Sequence, residues 1–329
     1  GLLELFHGPT AAFKDFGARF LAASLARLRT EETTVLVATS GDTGAAVASA
    51  FHRRPGFRVV ILYPDGRVSP RQAHQLGAFG DNVQAFRVAG TFDDCQRMVK
   101  EAFQDTALSK RHHLASANSI SLGRLLPQMA YYAHASLAAM ERGQGAASFV
   151  IPTGNLGNAF ACLLARECGL PIERVVLATN ANRVLADFVA TGVYAPQASV
   201  ATLANAMDVG APSNVERLRH RFSDVASVVS ADWVDDETIR ATIKASPEVI
   251  CPHTACGVAV LQRLRANGAK GPYIVAATAH PAKFDSIVEP LIGRAVPVPP
   301  ALAELLARPA TARPLEATVS ALASALGTR

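Results

Sequence analysis

A single lysine near the start of the chain has the surroundings that amine chemistry requires. Lys14 lies between Phe13 and Phe16 in the sequence, and the turn-forming run Gly8-Pro9-Thr10 precedes it and would aim its side chain. Burial beside aromatic rings disfavours the ammonium form and lowers the pKa of a lysine. A partly neutral amine of this kind can form a Schiff base with a carbonyl compound. A solvated lysine at the start of a helix is the ordinary alternative, and the residues alone leave it open.

Two loops rich in glycine and small polar residues each follow an apolar run and precede an alanine-rich run. Residues 39–44 have the sequence TSGDTG, and residues 154–158 have the sequence GNLGN. Free N–H groups at a helix start favour an anion, and glycines let the backbone approach a phosphate closely. Helix capping and a packing turn are the ordinary alternatives. The GNLGN loop is neither a P-loop nor a dinucleotide fingerprint, because it lacks the Gly-Lys-Ser/Thr ending and the GxGxxG spacing.

Four further side chains are candidates for chemistry, each with an ordinary alternative. Arg124 could bind a phosphate through two parallel hydrogen bonds, or be solvated at a helix start. Thr278, at the end of a predicted strand, could hydrogen-bond a ligand or be a common strand-end hydroxyl. His253 could carry a proton or be a satisfied structural histidine. Lys283 is a competing Schiff-base candidate, but it follows a proline in a turn, so we favour Lys14.

The elements that must position these residues alternate between strands and helices. Apolar runs predict strands at 34–38, 59–63, 83–88, 148–151, 174–179 and 273–277. Amphipathic or alanine-rich runs predict helices from Lys14 through Phe20, Leu21, Leu25 and Leu28, from the TSGDTG loop to about 51, at 71–76, at 92–103, at 122–142, directly after the GNLGN loop, and near 213–221, 235–245 and 255–266. One peripheral helix is expected after 296. The alternation is typical of parallel sheets with helices on both faces.

A glycine-containing break at 142–145 divides the chain into two series of strands and helices. We expect residues 33–142 to form a smaller α/β lobe that carries the TSGDTG loop. Residues 1–32 together with 143–329 would form a larger α/β lobe that carries Lys14 and the GNLGN loop. A cleft between two such lobes is where a ligand usually binds.

Composition bounds the class of protein. The chain has 329 residues, half of them hydrophobic and 18% charged, which suits a globular enzyme long enough for two domains. It has no apolar run of transmembrane length and no signal segment, so we expect a cytoplasmic protein without a membrane partner. The net charge of +5 is spread without a basic run, which argues against nucleic acid as a partner. The five cysteines show no CxxC spacing, so we expect free thiols and no metal.

Segments spread from residue 4 to residue 284 resemble, in the same order, the motifs of the threonine synthases, a family of pyridoxal-phosphate enzymes. The segments are 4–19 around the lysine, TSGDTG at 39–44, 118–124, GNLGN at 154–158, 208–217, 251–255 and 277–284. The resemblance implies the fold-type-II architecture, similar to the tryptophan synthase β chain, with two parallel-sheet αβα lobes. It also implies pyridoxal 5'-phosphate as the cofactor and conversion of O-phospho-L-homoserine and water to L-threonine and phosphate, the last step of threonine biosynthesis.

The same resemblance implies a role for each matched position. Lys14 would hold the cofactor as the internal aldimine and act as the catalytic base, and Thr278 would hydrogen-bond the pyridine nitrogen. The cofactor phosphate would be held by Gly154, Asn155, Leu156, Gly157 and Asn158. The substrate would be bound by Thr39, Ser40, Gly41, Asp42, Thr43, Asn118, Ser119 and Arg124.

The chain departs from the family pattern in three respects. Ser121 replaces a usual asparagine, and Cys251 replaces a usual aspartate. Members of this branch carry a sizeable region ahead of the lysine segment, so we expect a trimmed or shortened form. The departures leave open a related lyase acting on serine or threonine, and a non-catalytic binder of the cofactor or of a phospho-amino acid. A nucleotide-binding α/β protein is a third alternative, and the sequence leaves the oligomeric state open.

Overall fold

The computed structural model describes residues 1–28 and 31–327, which form two compact units, each containing one five-stranded sheet. The first unit comprises Gly1–His7 with Leu125–Pro297, and the second comprises Gly8–Arg124 with the residues from Val298 onward. In the part of the chain that the structure describes, no helix is long and apolar enough to cross a membrane.

The strands and helices follow one another in nearly regular alternation. The strands are β1 Leu2–Glu4, β2 Thr33–Ala38, β3 Phe57–Pro64, β4 Val83–Val88, β5 Leu114–Ser116, β6 Ala147–Pro152, β7 Ile172–Thr179, β8 Ser230–Trp233, β9 Tyr273–Ala277 and β10 Arg313–Leu315. The helices are α1 Lys14–Leu28, α2 Asp42–Phe51, α3 Pro70–Gly77, α4 Phe92–Gln104, α5 Thr106–Arg111, α6 Leu122–Leu125, α7 Met129–Glu141, α8 Gly157–Glu167, α9 Val184–Thr191, α10 Val215–Arg221, α11 Asp236–Ala245, α12 Pro252–Ala266, α13 Asp285–Ile292, α14 Pro300–Leu306 and α15 Val319–Leu326.

The sheet of the second unit has the strand order β10-β4-β3-β2-β5, and every pairing is parallel. Its central strands are buried along nearly their whole length, as parallel strands covered on both faces require. The alanine-rich helix α2 packs closely on this sheet, and Gly44 allows that approach because a Cβ there would lie 2.9 Å from Cγ2 of Ile61 in β3. The TSGDTG loop begins directly after Ala38, the last residue of β2, and so lies at the carboxyl end of that strand.

The sheet of the first unit has the strand order β1-β9-β6-β7-β8, also with parallel pairings throughout. Helix α12 crosses it closely at Gly257, where a Cβ would lie 2.7 Å from Val275 Cγ1. The GNLGN loop follows β6, and Thr278 follows β9, which pairs with β6. Both candidate segments of this unit thus leave the sheet at the carboxyl ends of neighbouring strands.

The structure divides the chain differently from the predicted lobes. Helix α1 packs against α2, and β10 pairs with β4, so the lysine segment and the C-terminal residues belong to the unit that carries the TSGDTG loop. Helix α7 packs against α8, which places residues 125–142 in the other unit. The break at 142–145 is a real turn, but the packing of helices, rather than the turn, decides the division.

Three details of the predicted elements are corrected. The helix expected at 122–142 is interrupted by a 3-10 turn at Leu126–Gln128, because Pro127 supplies no N–H to an α-helix. The residues after 296 form two helices and the short strand β10 rather than one helix. Helix α1 buries Leu21 but leaves Phe20 and Leu28 exposed at 51% and 76% of their surface, so its buried stripe is narrower than predicted.

We predict that Gly17→Ala destabilises the second unit. Alanine favours a helix over glycine by about 1 kcal/mol, but a Cβ at Gly17 would overlap the carbonyl oxygen of Arg124, a backbone atom that cannot move aside cheaply. We expect the free energy of unfolding, measured in urea, to fall by about 1–3 kcal/mol, the usual cost of overpacking. The exposed substitution Ala26→Ser in the same helix is the control and should change it by less than about 1 kcal/mol. A more stable Gly17→Ala variant would contradict this packing.

Candidate active site

Lys14 is the first residue of α1 and is held there by a tight turn. The N–H of Ala11 donates to the carbonyl of Gly8 at 3.1 Å, which closes the predicted turn, and Ala11 adopts a left-handed backbone with φ of 55°. The Lys14 side chain is half-buried, with its Nζ 5.1 Å from the centroid of the Phe13 ring. Phe16 is 44% exposed, so it is less enclosed than the half-buried Phe13.

A buried carboxylate next to Lys14 fixes the turn that precedes it. Asp15 accepts hydrogen bonds from the Thr10 N–H at 2.9 Å and from the Thr10 hydroxyl at 2.7 Å. Both residues are buried, and a Cβ at Gly8 would overlap the Asp15 carboxylate. The start of α1, and with it the backbone of Lys14, is therefore held by side chains that the family resemblance did not single out.

The TSGDTG loop exposes a helix start that has no side-chain cap. The Thr39 hydroxyl accepts from the N–H groups of Gly41 at 3.0 Å and Gly44 at 2.9 Å, which folds the loop back on itself. Gly41 has φ of 134°, a conformation that favours glycine, and it precedes α2 without a capping hydrogen bond. Such a helix start supplies N–H groups and a favourable dipole to a carboxylate.

Asp42 lies in this loop, but its side chain is already engaged. Its Oδ1 accepts from Gln72 Nε2 at 2.9 Å, and Gln72 is itself fixed by a capping box with Ser69 at the start of α3. Both Asp42 and Gln72 are buried. A second carboxylate would be repelled by the Asp42 side chain, so any contribution of Asp42 to substrate binding falls to its backbone.

Asn118 and Arg124 are brought to the carboxyl end of β2. The Asn118 amide donates to the Ala38 carbonyl at 2.9 Å and accepts from the Ala38 N–H at 3.2 Å, which extends the edge of the strand. Arg124 is buried, and its Nη1 donates to the Ala117 carbonyl at 2.7 Å. The solvated alternative for Arg124 is therefore wrong. Asn118 supports the TSGDTG loop by holding the backbone of Ala38, the residue directly before it.

The GNLGN loop also leads into an uncapped helix start, in contrast to α3, α4 and α11, which have side-chain caps. Leu156, the residue before α8, has a left-handed backbone with φ of 66°, and its N–H donates to the Thr153 hydroxyl at 3.2 Å. A Cβ at Gly154 would lie 2.7 Å from Met207 Cα and 2.8 Å from its carbonyl oxygen. The loop is thus tightly enclosed and presents backbone N–H groups to an anion.

Asn158 adds a buried hydrogen-bond donor to this helix start. Its Oδ1 accepts from the hydroxyls of Tyr131 at 2.5 Å and Tyr132 at 2.9 Å. Burial raises the pKa of Tyr132 well above its usual range, so this hydroxyl stays protonated and donates. Among the residues that the structure describes, no acceptor lies within hydrogen-bond distance of the buried Asn158 Nδ2. A buried donor without a protein acceptor is what a bound anion would satisfy.

Thr278 and Lys283 follow β9 in the same unit. Thr278 is buried, with 5% of its surface exposed. Lys283 lies in the 3-10 turn Pro281–Phe284 and is fully buried, with 0% of its surface exposed. The more buried of the two candidate lysines is therefore Lys283, and the preference for Lys14 stays a prediction that rests on the resemblance.

His253 and Cys251 have structural partners at the start of α12. His253 Nε2 accepts from the Ala206 N–H at 3.0 Å, so the lone pair that a proton carrier would need is occupied. Cys251 Sγ accepts from the Thr254 N–H at 3.5 Å and acts as the N-cap. A thiol thus fills the capping position that a carboxylate would fill in the family pattern. The structural interpretation of His253 is favoured.

Groups of His, Cys, Asp and Glu able to hold a metal ion do not occur among residues 1–28 and 31–327. All five cysteines are free thiols in the structure.

Two parallel α/β units with glycine-rich loops at the carboxyl ends of their strands define the class of fold-type-II pyridoxal-phosphate enzymes. The sequence family described as pyridoxal-phosphate dependent enzyme matches residues 2–278, and the family described as threonine synthase, C-terminal, matches residues 254–325. Maize serine racemase shares the fold, with a TM-score of 0.61 at 17% identity over 82% of this chain and 79% of its own. The chain belongs to the threonine synthase family.

Specific relatives support that assignment. The chain is 44% identical to threonine synthase from Serratia marcescens over 308 residues, which are 92% of this chain and 71% of the relative. The crystal structure of threonine synthase from Escherichia coli superposes with a TM-score of 0.93 at 41% identity, over 99% of this chain and 77% of that chain. The pyridoxal-phosphate-bound threonine synthase from Brucella melitensis gives 0.85 at 34% identity, over 98% and 77%.

Several residues that shape the site were missed by sequence reasoning. Gln72 holds Asp42, the tyrosines 131 and 132 hold Asn158, and Asp15 holds Thr10. The capping-box spacing of Ser69 and Gln72 is visible in the sequence, but it predicts only a helix start. The tyrosine pair carries no local signal, because its partner is 26 or more residues away.

We predict that Asn158→Asp weakens binding of pyridoxal phosphate by more than tenfold. The substitution keeps the oxygen that accepts from Tyr131 and Tyr132 but replaces the donor Nδ2 by a negatively charged acceptor. Titration of the cofactor-free protein, followed by the visible absorbance of bound cofactor, gives the dissociation constant. Asn267→Asp, at the exposed end of α12, is the matched control and should leave it unchanged. Equal affinity in the two variants would refute an anion at this helix start.

We also predict a pH-dependent stability difference caused by Asp208. Burial, together with a smaller effect of nearby Asp236, raises the pKa of its carboxyl to about 7, against the opposing hydrogen bonds of Thr202 and Asn180. An unfolded aspartate titrates near 4, so the folded protein binds this proton more tightly. The resulting stability is fully present below about pH 4 and is lost as pH rises through about 7. In urea titrations between pH 5 and pH 8, the protein should lose stability relative to Asp208→Asn; the opposite trend would contradict the raised pKa.

Proposed function

We propose that the chain converts O-phospho-L-homoserine and water to L-threonine and inorganic phosphate, with pyridoxal 5'-phosphate as its cofactor. The observation that carries the proposal is the likeness to threonine synthase from Escherichia coli over 99% of the chain at a TM-score of 0.93. Membership of the family supports the cofactor, and the loops described above support the binding of two anionic groups. The cytoplasmic location expected from the sequence stays part of this proposal.

The residues present fit the cofactor. The uncapped start of α8 and the unsatisfied Nδ2 of Asn158 suit a phosphate, which the proposal assigns to residues 154–158. The buried hydroxyl of Thr278 suits the pyridine nitrogen, and a neutral hydroxyl leaves that nitrogen unprotonated. When bound, the cofactor withdraws electrons from the bonds at Cα of the substrate amino acid. The protein must supply the binding, the orientation and the proton transfers.

Lys14 is assigned both the covalent link to the cofactor and the transfer of protons. After the substrate amine displaces it, the Nζ of Lys14 is free to take a proton from Cα and to return protons at neighbouring carbons. Asp15 and the closed Gly8–Ala11 turn hold the backbone from which this side chain extends. A lysine that extends from a fixed backbone keeps its amine better oriented from one proton transfer to the next.

The substrate's two anionic groups are assigned to the second unit. The α-carboxylate is assigned to the N–H groups at the start of α2, where Thr39 shapes the loop and Thr43 lies in the first turn. Arg124 is assigned to the substrate phosphate, together with Ser119 and the neighbouring residues. In the overall reaction the bond from Cγ to the phosphate oxygen breaks, and the oxygen of water adds at Cβ.

The function is tested by incubating purified protein and added cofactor with O-phospho-L-homoserine. Threonine and phosphate should be released in equal amounts. A related lyase, given serine or threonine as substrate, would release ammonia and an oxo acid instead, and would keep its activity when Arg124 is replaced by glutamine. Cofactor absorbance without any product from O-phospho-L-homoserine, serine or threonine would identify a non-catalytic binder and overturn the proposal.

We predict that Lys14→Ala lowers turnover by more than about a thousandfold. It should also remove the visible absorbance of the covalently bound cofactor. Only an amine can form the Schiff base, and alanine has none. Lys283→Met preserves the length of the buried side chain and should keep the absorbance, and Lys110→Ala at the end of α5 controls for loss of a positive charge. Loss of the absorbance in Lys283→Met, with normal absorbance in Lys14→Ala, would move the Schiff base to Lys283.

A further inference from the structure

The segment 200–214 of the first unit encloses the GNLGN loop. The backbone of Met207 occupies the space beside Gly154, where a Cβ would lie 2.7 Å from Met207 Cα. The loop residue Asn155 accepts from the Ser213 N–H through its Oδ1 at 2.6 Å, and its carbonyl accepts from Asn214 Nδ2 at 2.9 Å. The shape of the GNLGN loop is therefore set partly by a segment some fifty residues further along the chain.

A single carboxylate gathers this segment onto the end of β7. Asp208 Oδ1 accepts from Asn180 Nδ2 at 2.7 Å, from Asn182 Nδ2 at 3.1 Å and from the Thr202 hydroxyl at 2.7 Å. Its Oδ2 accepts from the Thr202 N–H at 3.0 Å. Asn180 is fully buried and directly follows β7, so the carboxylate connects the segment to the rigid edge of the sheet.

The hydrogen bonds around Asp208 define one conformation of the adjoining turn. The Asp208 N–H donates to the Asn205 carbonyl at 3.0 Å, and the Met207 N–H donates to the Ala204 carbonyl at 2.9 Å. Asp208 is thus joined directly to the 3-10 turn Asn205–Met207 that touches Gly154. The same turn is also tied to helix α12, because the Ala206 N–H donates to His253 Nε2 at 3.0 Å.

Burying the Asp208 carboxylate costs stability, but its two oxygens accept four hydrogen bonds. Asn180 and Asn182 contribute amide groups and Thr202 contributes a backbone N–H, and these can only donate to it. Burial of a polar group that is fully hydrogen-bonded selects one conformation even where it adds little stability. Asp208 therefore affects the neighbouring GNLGN loop through the conformation that it selects rather than through the stability that it adds.

We propose that Asp208 is a positioning residue for the cofactor phosphate: by fixing the turn 205–207 against Gly154, its carboxylate holds the GNLGN loop in the shape that binds the phosphate. This inference rests on the proposed assignment of residues 154–158 to that phosphate. Asp208 does not bind the phosphate itself, since a carboxylate would repel it.

The test compares Asp208→Ala and Asp208→Asn, which remove different parts of the network. Alanine removes all four hydrogen bonds, whereas asparagine keeps the three at Oδ1 and sets an N–H₂ group against the Thr202 N–H. Full-length cofactor-free protein is titrated with pyridoxal phosphate, and ³¹P NMR of the loaded protein reports the surroundings of the phosphate. Asp224→Asn, in an exposed turn of the same unit, is the matched control, and Gly154→Ala perturbs the loop directly.

We expect the dissociation constant of the cofactor to rise about tenfold in Asp208→Ala and about threefold in Asp208→Asn, the scale of one hydrogen bond or less. The ³¹P resonance should shift in both variants. Asp224→Asn should change none of these. If Asp208→Ala does not fold, the Asp208→Asn measurements decide the question.

Two results would overturn the inference. Only the second would also overturn the assignment of residues 154–158 to the cofactor phosphate. If Gly154→Ala weakens cofactor binding but both Asp208 variants bind normally with an unchanged ³¹P resonance, Asp208 is only structural and the phosphate assignment stands. If none of the three variants alters binding, the assignment of residues 154–158 fails and the inference fails with it. A lowered melting temperature with unchanged affinity counts as the first result.

Discussion

In each unit, one helix start suited to an anion is left without a side-chain cap by the residue that precedes it. Helices α2 and α8 both follow a buried parallel strand, and neither Gly41 nor Leu156 supplies a capping side chain. An uncapped helix start is costly unless water or a ligand satisfies its donors. Thr39 takes the Gly44 N–H at the start of α2, and the N–H groups that remain at each helix start suit an anionic group.

That arrangement explains why so many buried polar residues surround the two loops. Thr39, Gln72 and Asn118 support the loop before α2, while Asn158, Asn155 and Asp208 belong to the network around the loop before α8. Their hydrogen-bond partners are backbone, amide and carboxylate groups and, for Asn158, the hydroxyls of two tyrosines, so the loops are held by directional contacts. Hydrophobic packing alone would leave short glycine-containing loops with several conformations.

The departure from the family pattern at residue 251 is smaller in the structure than in the sequence. Cys251 caps α12 as a carboxylate would, because a thiol sulfur also accepts the Thr254 N–H. The neighbouring His253 holds the Ala206 N–H and takes no part in the proposed proton transfers. What distinguishes this chain at residue 251 is therefore a weaker acceptor at a helix start.

Local sequence patterns predicted the three inner strands of each sheet, the positions of the two loops and the family to which they point, but not the edge strands β1, β5, β8 and β10. These features come from local patterns, namely buried runs of strand length, helical periodicity and glycine at positions where the backbone must turn. Only the tertiary structure decided that the lysine segment belongs with the TSGDTG loop, that Arg124 is buried, and that Lys283 is more buried than Lys14. It also decided that Asp42 is held by Gln72 and Asp208 by Asn180, because burial and hydrogen-bond partners come from residues about thirty positions apart, which no local pattern contains.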